Sequence, residues 1–107
     1  LKQVRDEPDE AKAIIENALG FSFAAQEDFN EAIRHYQNAI TVKPNYPVAM
    51  NNLAFALQKL MKEDEAFAIY NDVLKIDPKN KTAKRQVERI NKINTQKSEK
   101  IIYKKGF

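Results

Sequence analysis

Apolar residues recur every three or four positions in five stretches of the chain, a spacing typical of amphipathic α-helices. Polar and proline-containing segments separate these stretches, and no stretch alternates in the manner of a β-strand. The predicted helices cover about Pro8–Ala25, Phe29–Val42, Pro47–Leu60, Asp64–Ile76, and a final helix that meets no glycine or proline before Gly106. The pattern therefore predicts an all-α protein.

The residues between the stretches carry the signals of helix ends. Asp28 followed by Glu31 resembles a capping box, and Asn80 has the side chain of an N-cap residue. Pro8 and Pro47 suit the first turns of helices, because a first-turn residue needs no backbone N–H donor. Pro44 ends the second helix, since proline disfavours the helical conformation of the residue before it.

The pattern repeats with a period of 34 residues, so that residues 13–46 align with residues 47–80. A fixed period of this length is typical of stacked helical units. Seven positions are identical in the two units: Asn17/Asn51, Leu19/Leu53, Phe21/Phe55, Glu31/Glu65, Ala32/Ala66, Tyr36/Tyr70 and Pro44/Pro78.

The content of the period resembles the tetratricopeptide repeat, whose pattern asks in order for Leu-Gly, an aromatic, a small residue, an aromatic, Ala and Pro. The first unit supplies Leu19, Gly20, Phe23, Ala32, Tyr36, Ala39 and Pro44, and the second keeps Leu53, Ala66, Tyr70 and Pro78. Both units depart from the family at its Trp, replaced by Glu16 and Met50, and at its inter-helix Gly, replaced by Glu27 and Met61.

The resemblance implies a right-handed α-solenoid of two helix hairpins and a C-terminal capping helix. We expect a lead-in over residues 1–12, repeats over 13–46 and 47–80, and the capping helix with a basic tail over 81–107. Two repeats and a cap are fewer than the three usually needed for stability. Either another helix or repeat precedes these residues in the full protein, or the chain associates with itself.

The sequence contains no recognisable set of catalytic residues. We therefore expect a protein that is not an enzyme and holds no cofactor or metal. There is no cysteine and one histidine, His35, which the helix pattern places on an exposed outer surface. No phosphate-binding glycine loop and no metal-ligand cluster can be assembled. No apolar run is long enough to span a membrane, so the chain itself reads as soluble.

The charges are distributed unevenly. Residues 1–78 carry a net charge of −5, whereas residues 79–107 carry +8. A basic tail of this kind suits an acidic protein, an anionic membrane surface or nucleic acid, with nucleic acid the least favoured partner. A solvated helix end explains the charges equally well. Four apolar residues also lie on the tail: Ile101, Ile102, Tyr103 and Phe107.

In a tetratricopeptide stack the inner helices line a concave groove, and this groove is where the resemblance places ligand binding. The predicted partner-binding residues are Asn17, Phe21, Asn51, Asn52, Phe55, Gln58, Arg85, Arg89 and Lys92. Carboxamides can both donate to and accept from a peptide backbone, and phenyl rings provide apolar anchors. The competing interpretation is that neighbouring helices partly bury the two phenylalanines.

Co-chaperones of this family hold the acidic C-terminal peptides of heat-shock chaperones with a clamp of Lys, Asn, Asn, Lys and Arg. The corresponding positions here hold Asn17, Phe21, Asn52, Thr82 and Gln86, of which one matches. The resemblance therefore argues against chaperone-tail binding.

A narrower resemblance rests on residues 17–21, 25–27, 32–36, 50–53 and 77–85. These segments resemble the tetratricopeptide photosystem I assembly factors of cyanobacteria and plastids. The resemblance implies a scaffold that binds photosystem I subunits or other assembly factors, tethered to the thylakoid by a segment ahead of the repeats. The alternatives are a structural or dimerisation module, or an adaptor whose basic tail attaches to anionic membrane or RNA.

Overall fold

A computed structural model describes the backbone of residues 2–105 and the side chains of residues 9–98. These residues form five helices and no strand: α1 (Lys2–Ala25), α2 (Phe29–Val42), α3 (Pro47–Lys59), α4 (Glu63–Ile76) and α5 (Lys81–Lys105). The prediction of an all-α fold is confirmed. The side chains of residues 101–107, which include the apolar residues of the tail, lie outside the described part.

The first helix begins earlier than predicted. It starts at Lys2 and passes through Pro8, which we expected to open it. A proline has a φ compatible with the α-helix, but it removes one backbone hydrogen bond from the helix interior. The other helices begin and end within one residue of the predicted positions.

The predicted caps hold the starts of α2 and α5. The Asp28 carboxylate accepts a hydrogen bond from the backbone N–H of Glu31 at 3.3 Å. The Asn80 side-chain oxygen accepts one from the backbone N–H of Ala83 at 3.0 Å. Each satisfies one of the N–H groups that a helix start leaves without an intrahelical partner.

The turns within the two hairpins adopt the same left-handed conformation. Glu27 has φ 62° and Met61 has φ 63°, at the two positions where the family pattern has glycine. Side chains other than glycine adopt this region at a cost, because their Cβ approaches the carbonyl oxygen. The turn geometry is thus kept although the residue that suits it best is absent.

The helices pack as two antiparallel hairpins followed by a single helix. Helix α1 packs on α2, α3 on α4 and α5 on α4, while the α2–α3 contact joins the hairpins. Tyr36 of α2 and Tyr70 of α4 are 2% and 1% exposed and belong to one continuous apolar core. This core fixes the order α1, α3, α5 across one side of the stack.

Helices α3 and α5 each pack one face against the helix that precedes them in the chain. Helix α5 packs mainly on α4, and it buries Ala83 and Ile90, the third and tenth residues of its unit. In α3 the equivalent Ala49 and Ala56 are buried and Leu53 is 7% exposed. We call this the stacking face.

In α1 the stacking face has no helix against it among the described residues. Ile15 is 57% exposed and Leu19 is 41% exposed, and Ser22 is exposed as well. Leu19 and Leu53 occupy the same position of the repeat. Their burial differs because α2 packs against α3, whereas no described helix packs against this face of α1. The stacking face of α1 is therefore an apolar surface that no described element covers.

His35 is buried rather than exposed, so our expectation for this residue was wrong. It is 9% exposed, its ring stacks on Phe23 with 5.3 Å between ring centroids, and Nδ1 donates to Glu16 Oε2 at 2.7 Å. Nε2 then accepts from Arg34 Nη2 at 3.2 Å. Glu16 occupies the position of the family's Trp, so a polar pair joins α1 and α2 where the family has an aromatic ring.

The Glu16–His35 hydrogen bond predicts a pH dependence of stability. This bond lowers the pKa of Glu16 below its ordinary value, and partial burial opposes the effect. A carboxylate whose pKa is lower in the folded state stabilises fully above its unfolded pKa of about 4.3. We expect the stabilisation to disappear as the pH falls through the lower, folded pKa.

The measurement is the free energy of unfolding as a function of pH for the natural chain and for Glu16→Gln. Glutamine keeps an oxygen acceptor but does not titrate. The difference between the two curves should shrink as the pH falls below about 4.3, because Glu16 is then increasingly protonated. A difference that stays constant down to acid pH would contradict this role of Glu16.

The candidate ligand groove

Four large apolar side chains form a row on the inner side of the stack. Ile14 and Phe21 of α1 are 55% and 65% exposed, and Val48 and Phe55 of α3 are 55% and 48% exposed. They occupy the same two positions of each repeat. A contiguous exposed apolar row on a soluble protein is typical of an interaction site. Neighbouring residues cover both phenylalanines in part, Phe55 more than Phe21, but leave both rings accessible to a ligand.

An open depression lies between α1 and α3 in the middle of this row. Its volume is about 200 Å³, and its lining consists of Phe21, Ala24, Ala25, Tyr36, Asn52 and Phe55. Three of the predicted partner-binding residues therefore line one cavity. The small side chains of the two alanines leave room between the phenyl rings, and the rings provide apolar walls that an inserted side chain can contact.

A second depression, of about 380 Å³, lies between α3 and α5. Its lining consists of Phe55, Gln58, Lys59, Glu63, Gln86 and Arg89. Phe55 lines both depressions, so the two form one groove that runs across α1, α3 and α5. The groove brings together five of the predicted residues: Phe21, Asn52, Phe55, Gln58 and Arg89.

The floor of the second depression is a network of hydrogen bonds. The buried Tyr70 hydroxyl donates to Gln58 Oε1 at 2.8 Å, and Gln58 Nε2 donates to Glu63 at 3.2 Å and to Gln86 at 3.3 Å. Burial raises the pKa of Tyr70 to about 12, so the hydroxyl stays a donor at neutral pH. Gln58 is thus held in place by Tyr70 and Glu63 of α4 and by Gln86 of α5.

The three predicted asparagines, Asn17, Asn51 and Asn52, form side-chain hydrogen bonds that join neighbouring helices. Asn52 Nδ2 donates to Asn17 Oδ1 at 3.1 Å, which joins α3 to α1. Asn51 Nδ2 donates to Asn80 Oδ1 at 3.1 Å, which joins α3 to the cap of α5. These bonds give Asn17 and Asn51, which are identical in the two repeats, a structural role. The carboxamide oxygen of Asn51 is buried and has no hydrogen-bond partner among the described atoms.

Of the three predicted basic residues of α5, one, Arg89, lines the groove. Arg89 Nε donates to Gln86 Oε1 at 3.1 Å, and its Nη2 lies 3.5 Å from Glu63 Oε1. Arg85 and Lys92 are exposed and line neither depression. On α3, Lys59 Nζ lies 5.1 Å from the centroid of the Phe55 ring, within the range of a cation–π contact.

A third depression, of about 340 Å³, was not foreseen from the sequence. It lies between the start of α4 and the middle of α5, and its lining includes Met61, Glu63, Arg89 and Ile93. Met61 is 89% exposed because its left-handed turn directs it away from the core. The departure from glycine at this turn was visible in the sequence, but the position of the side chain beside α5 was not.

Membrane-spanning helices and metal-ligand clusters are both absent from the described residues. None of the helices within residues 2–105 combines the length and the apolar character needed to cross a bilayer. The described side chains include no cluster of three histidine, cysteine or acidic residues arranged to hold a metal ion.

Comparison with known proteins identifies the repeats. The family profile "TPR repeat" matches residues 17–60, and the profile "Tetratricopeptide repeat" matches residues 48–80. The second tetratricopeptide domain of human RPAP3, solved by NMR in complex with an HSP70 peptide, superposes with a TM-score of 0.71 at 25% identity. The superposition covers 76% of this chain and 68% of that domain.

Curated relatives extend well beyond the matched region. The chain is 39% identical over 75 residues to the protein ycf37 of Cyanophora paradoxa, which covers 70% of this chain and 44% of that protein. It is 33% identical over 79 residues to PYG7 of Arabidopsis thaliana, a chloroplastic tetratricopeptide repeat domain-containing protein, which covers 74% and 26%. The chain spans less than half the length of these two relatives. It belongs to the tetratricopeptide repeat family.

Proposed function

We propose that this chain is a non-enzymatic protein-interaction scaffold that takes part in photosystem I assembly by holding a segment of a client subunit in its groove. The observation that carries the proposal is the row of four large apolar side chains, 48–65% exposed, two of which, Phe21 and Phe55, line a groove with a hydrogen-bonded floor. Such a surface buries apolar side chains of a ligand while its fixed polar groups set the register.

The comparisons support a peptide or protein as the ligand. The second tetratricopeptide domain of RPAP3 binds an HSP70 peptide, and a chain of the same fold offers a groove of the same kind. The ligand itself differs, because this chain keeps one of the five chaperone-clamp residues, Asn52. Asn52 also donates to Asn17, so it is engaged within the fold.

The photosynthetic role rests on the resemblance of residues 17–85 to the thylakoid photosystem I assembly factors and on the chloroplastic relative PYG7. The proposed location is the thylakoid membrane of a plastid or a cyanobacterium. Subunits that are not yet assembled expose apolar surface, and a scaffold that covers this surface would prevent aggregation.

The test is a pull-down from solubilised photosynthetic membranes with two matched double variants. Phe21→Ala/Phe55→Ala removes the two rings of the groove, and Ile15→Ala/Leu19→Ala removes two equally exposed apolar side chains from the stacking face of α1. Circular dichroism establishes that both variants stay folded. Truncating a central aromatic contact can cost about 2 kcal/mol, a factor of about 30 in the dissociation constant, so we expect the groove variant to recover at least about tenfold less of the photosystem I subunits.

The control variant should recover photosystem I subunits as well as the natural chain does. A loss confined to Ile15→Ala/Leu19→Ala would place the contact on the stacking face, as the structural or dimerisation alternative requires. No enrichment of photosystem I subunits by the natural chain would remove the photosynthetic role and leave the groove with a different client.

A further inference from the structure

Charge increases in one direction across the groove. The groove positions of α1, which are Ile14, Asn17, Phe21, Ala24 and Ala25, carry no charge. Helix α3 contributes one cation, Lys59, and α5 contributes Arg89. Arg85 and Lys92 lie four residues before and three residues after Arg89, on the same face of α5. The apolar row lies on the first two helices and the cations lie on the last two, so the two ends of the groove differ in chemistry.

Most of these cations are not neutralised by the fold. Glu63, 43% exposed in its side chain, is paired with Arg89 at 3.5 Å. Arg85 and Lys92 are exposed and form no ion pair with any side chain within residues 9–98. Lys59 lies over the Phe55 ring, which leaves its ammonium free of an acidic partner within the same range. The α5 end of the groove therefore has a surplus of positive charge.

We propose that the ligand of this groove is a protein segment whose apolar side chains lie over α1 and α3 and whose acidic side chains lie over α5. The inference rests on the proposed function, since it presupposes that the groove holds a segment of a client. Carboxylates accept strong hydrogen bonds from Arg85 and from the remaining donors of Arg89, and Lys59 lies where the apolar and acidic parts meet.

The same observations favour a protein segment over nucleic acid. A nucleic-acid site needs cations along its whole length to contact successive phosphates. Here the α1 half of the groove is apolar and uncharged, and residues 1–78 carry a net charge of −5. The groove thus offers cations for a short acidic part of a ligand only, and an apolar surface for the rest.

The experiment measures fluorescence anisotropy of synthetic peptides binding to the full chain. One labelled peptide joins a leucine-rich block to a glutamate block, and a second and third replace the glutamates with glutamine or with lysine. Each peptide is made in both block orders, because the groove sets the order of the blocks but not the chain direction. We expect the glutamate peptide to bind about tenfold more tightly than the glutamine peptide, and its affinity to fall as salt is raised.

Charge reversal on α5 provides the decisive comparison. Arg85→Glu/Lys92→Glu should abolish the preference for glutamate and make the lysine peptide the tightest of the three. Lys84→Glu serves as the control, because Lys84 is exposed on the same helix but lies five residues before Arg89 and therefore on a different face. This control should leave the order of the three peptides unchanged, and circular dichroism checks that every variant is folded.

The outcomes separate this inference from the proposed function. Binding that Phe21→Ala/Phe55→Ala removes, but that does not distinguish glutamate from glutamine, would overturn the charge inference and leave the groove as the binding site. Binding of the glutamate peptide that survives the phenylalanine substitutions and disappears with Lys84→Glu would overturn both, since the basic helix alone would then hold the peptide. A lysine peptide bound most tightly by the natural chain would also overturn the inference.

Discussion

Leu53→Ala should lower the free energy of unfolding by about 2–4 kcal/mol, whereas Leu19→Ala should lower it by less than about 1 kcal/mol. The two leucines occupy the same position of the repeat and the substitution is the same. Leu53 is 7% exposed on the stacking face of α3, and Leu19 is 41% exposed on the stacking face of α1. The difference arises because only the first substitution leaves a cavity between packed helices.

Urea denaturation followed by circular dichroism measures both values under one set of conditions. The slope of the free energy with urea should be the same for both variants, since neither changes the surface exposed on unfolding by much. Equal costs for the two substitutions would show that a second copy of the chain covers the α1 face in solution. Sedimentation equilibrium at the same concentration would then detect the dimer.

The helices were predictable because each depends on local signals. Apolar residues at helical spacing mark the packed faces of the helices. The side chains of Asp28 and Asn80 accept hydrogen bonds from backbone N–H groups three residues away. Such signals act within one turn of the chain, so they can be read without knowledge of the tertiary structure. Pro8 misled us for the same reason, since a proline suits a first turn but also fits inside a helix that loses one hydrogen bond.

Partners distant in sequence were the main source of error. The helix pattern predicts that His35 is exposed. In the structure its ring lies between α1 and α2, where it is hydrogen-bonded to Glu16, 19 residues earlier in the chain. Leu19 and Leu53 carry the same repeat signal, yet their burial differs because a helix precedes α3 in the stack. A periodic pattern predicts on which side of its helix a residue lies. Whether that side is buried depends on the element that packs against it.

The groove shows the same division between what was predictable and what was not. Repeat positions correctly placed Phe21, Asn52 and Phe55 on one surface. They did not reveal that the carboxamides of Asn17, Asn51 and Gln58 are engaged by other side chains of the fold. Without a structure, a polar residue that binds a ligand cannot be distinguished from one that holds two helices together.

Gly20→Ala should destabilise the chain by about 1–2 kcal/mol, although alanine is the better helix former by about 1 kcal/mol. A Cβ built on Gly20 would lie 2.6 Å from two ring carbons of Tyr36 and 3.1 Å from the carbonyl oxygen of Ala32. Tyr36 is 2% exposed, so its ring has little space into which it can move. The steric cost therefore exceeds the gain in helix propensity.

Ser22→Ala provides the matched control, because Ser22 lies two residues further along the same helix and is exposed. It gains helix propensity without meeting a neighbour, so it should be neutral or stabilise by up to about 0.5 kcal/mol. Adding Tyr36→Leu to Gly20→Ala tests the cause directly, since a smaller side chain makes room for the new methyl group. The double variant should then be more stable than the sum of the two single changes predicts, by about 1 kcal/mol or more. Strict additivity would mean that Gly20 is kept for a reason other than its contact with Tyr36.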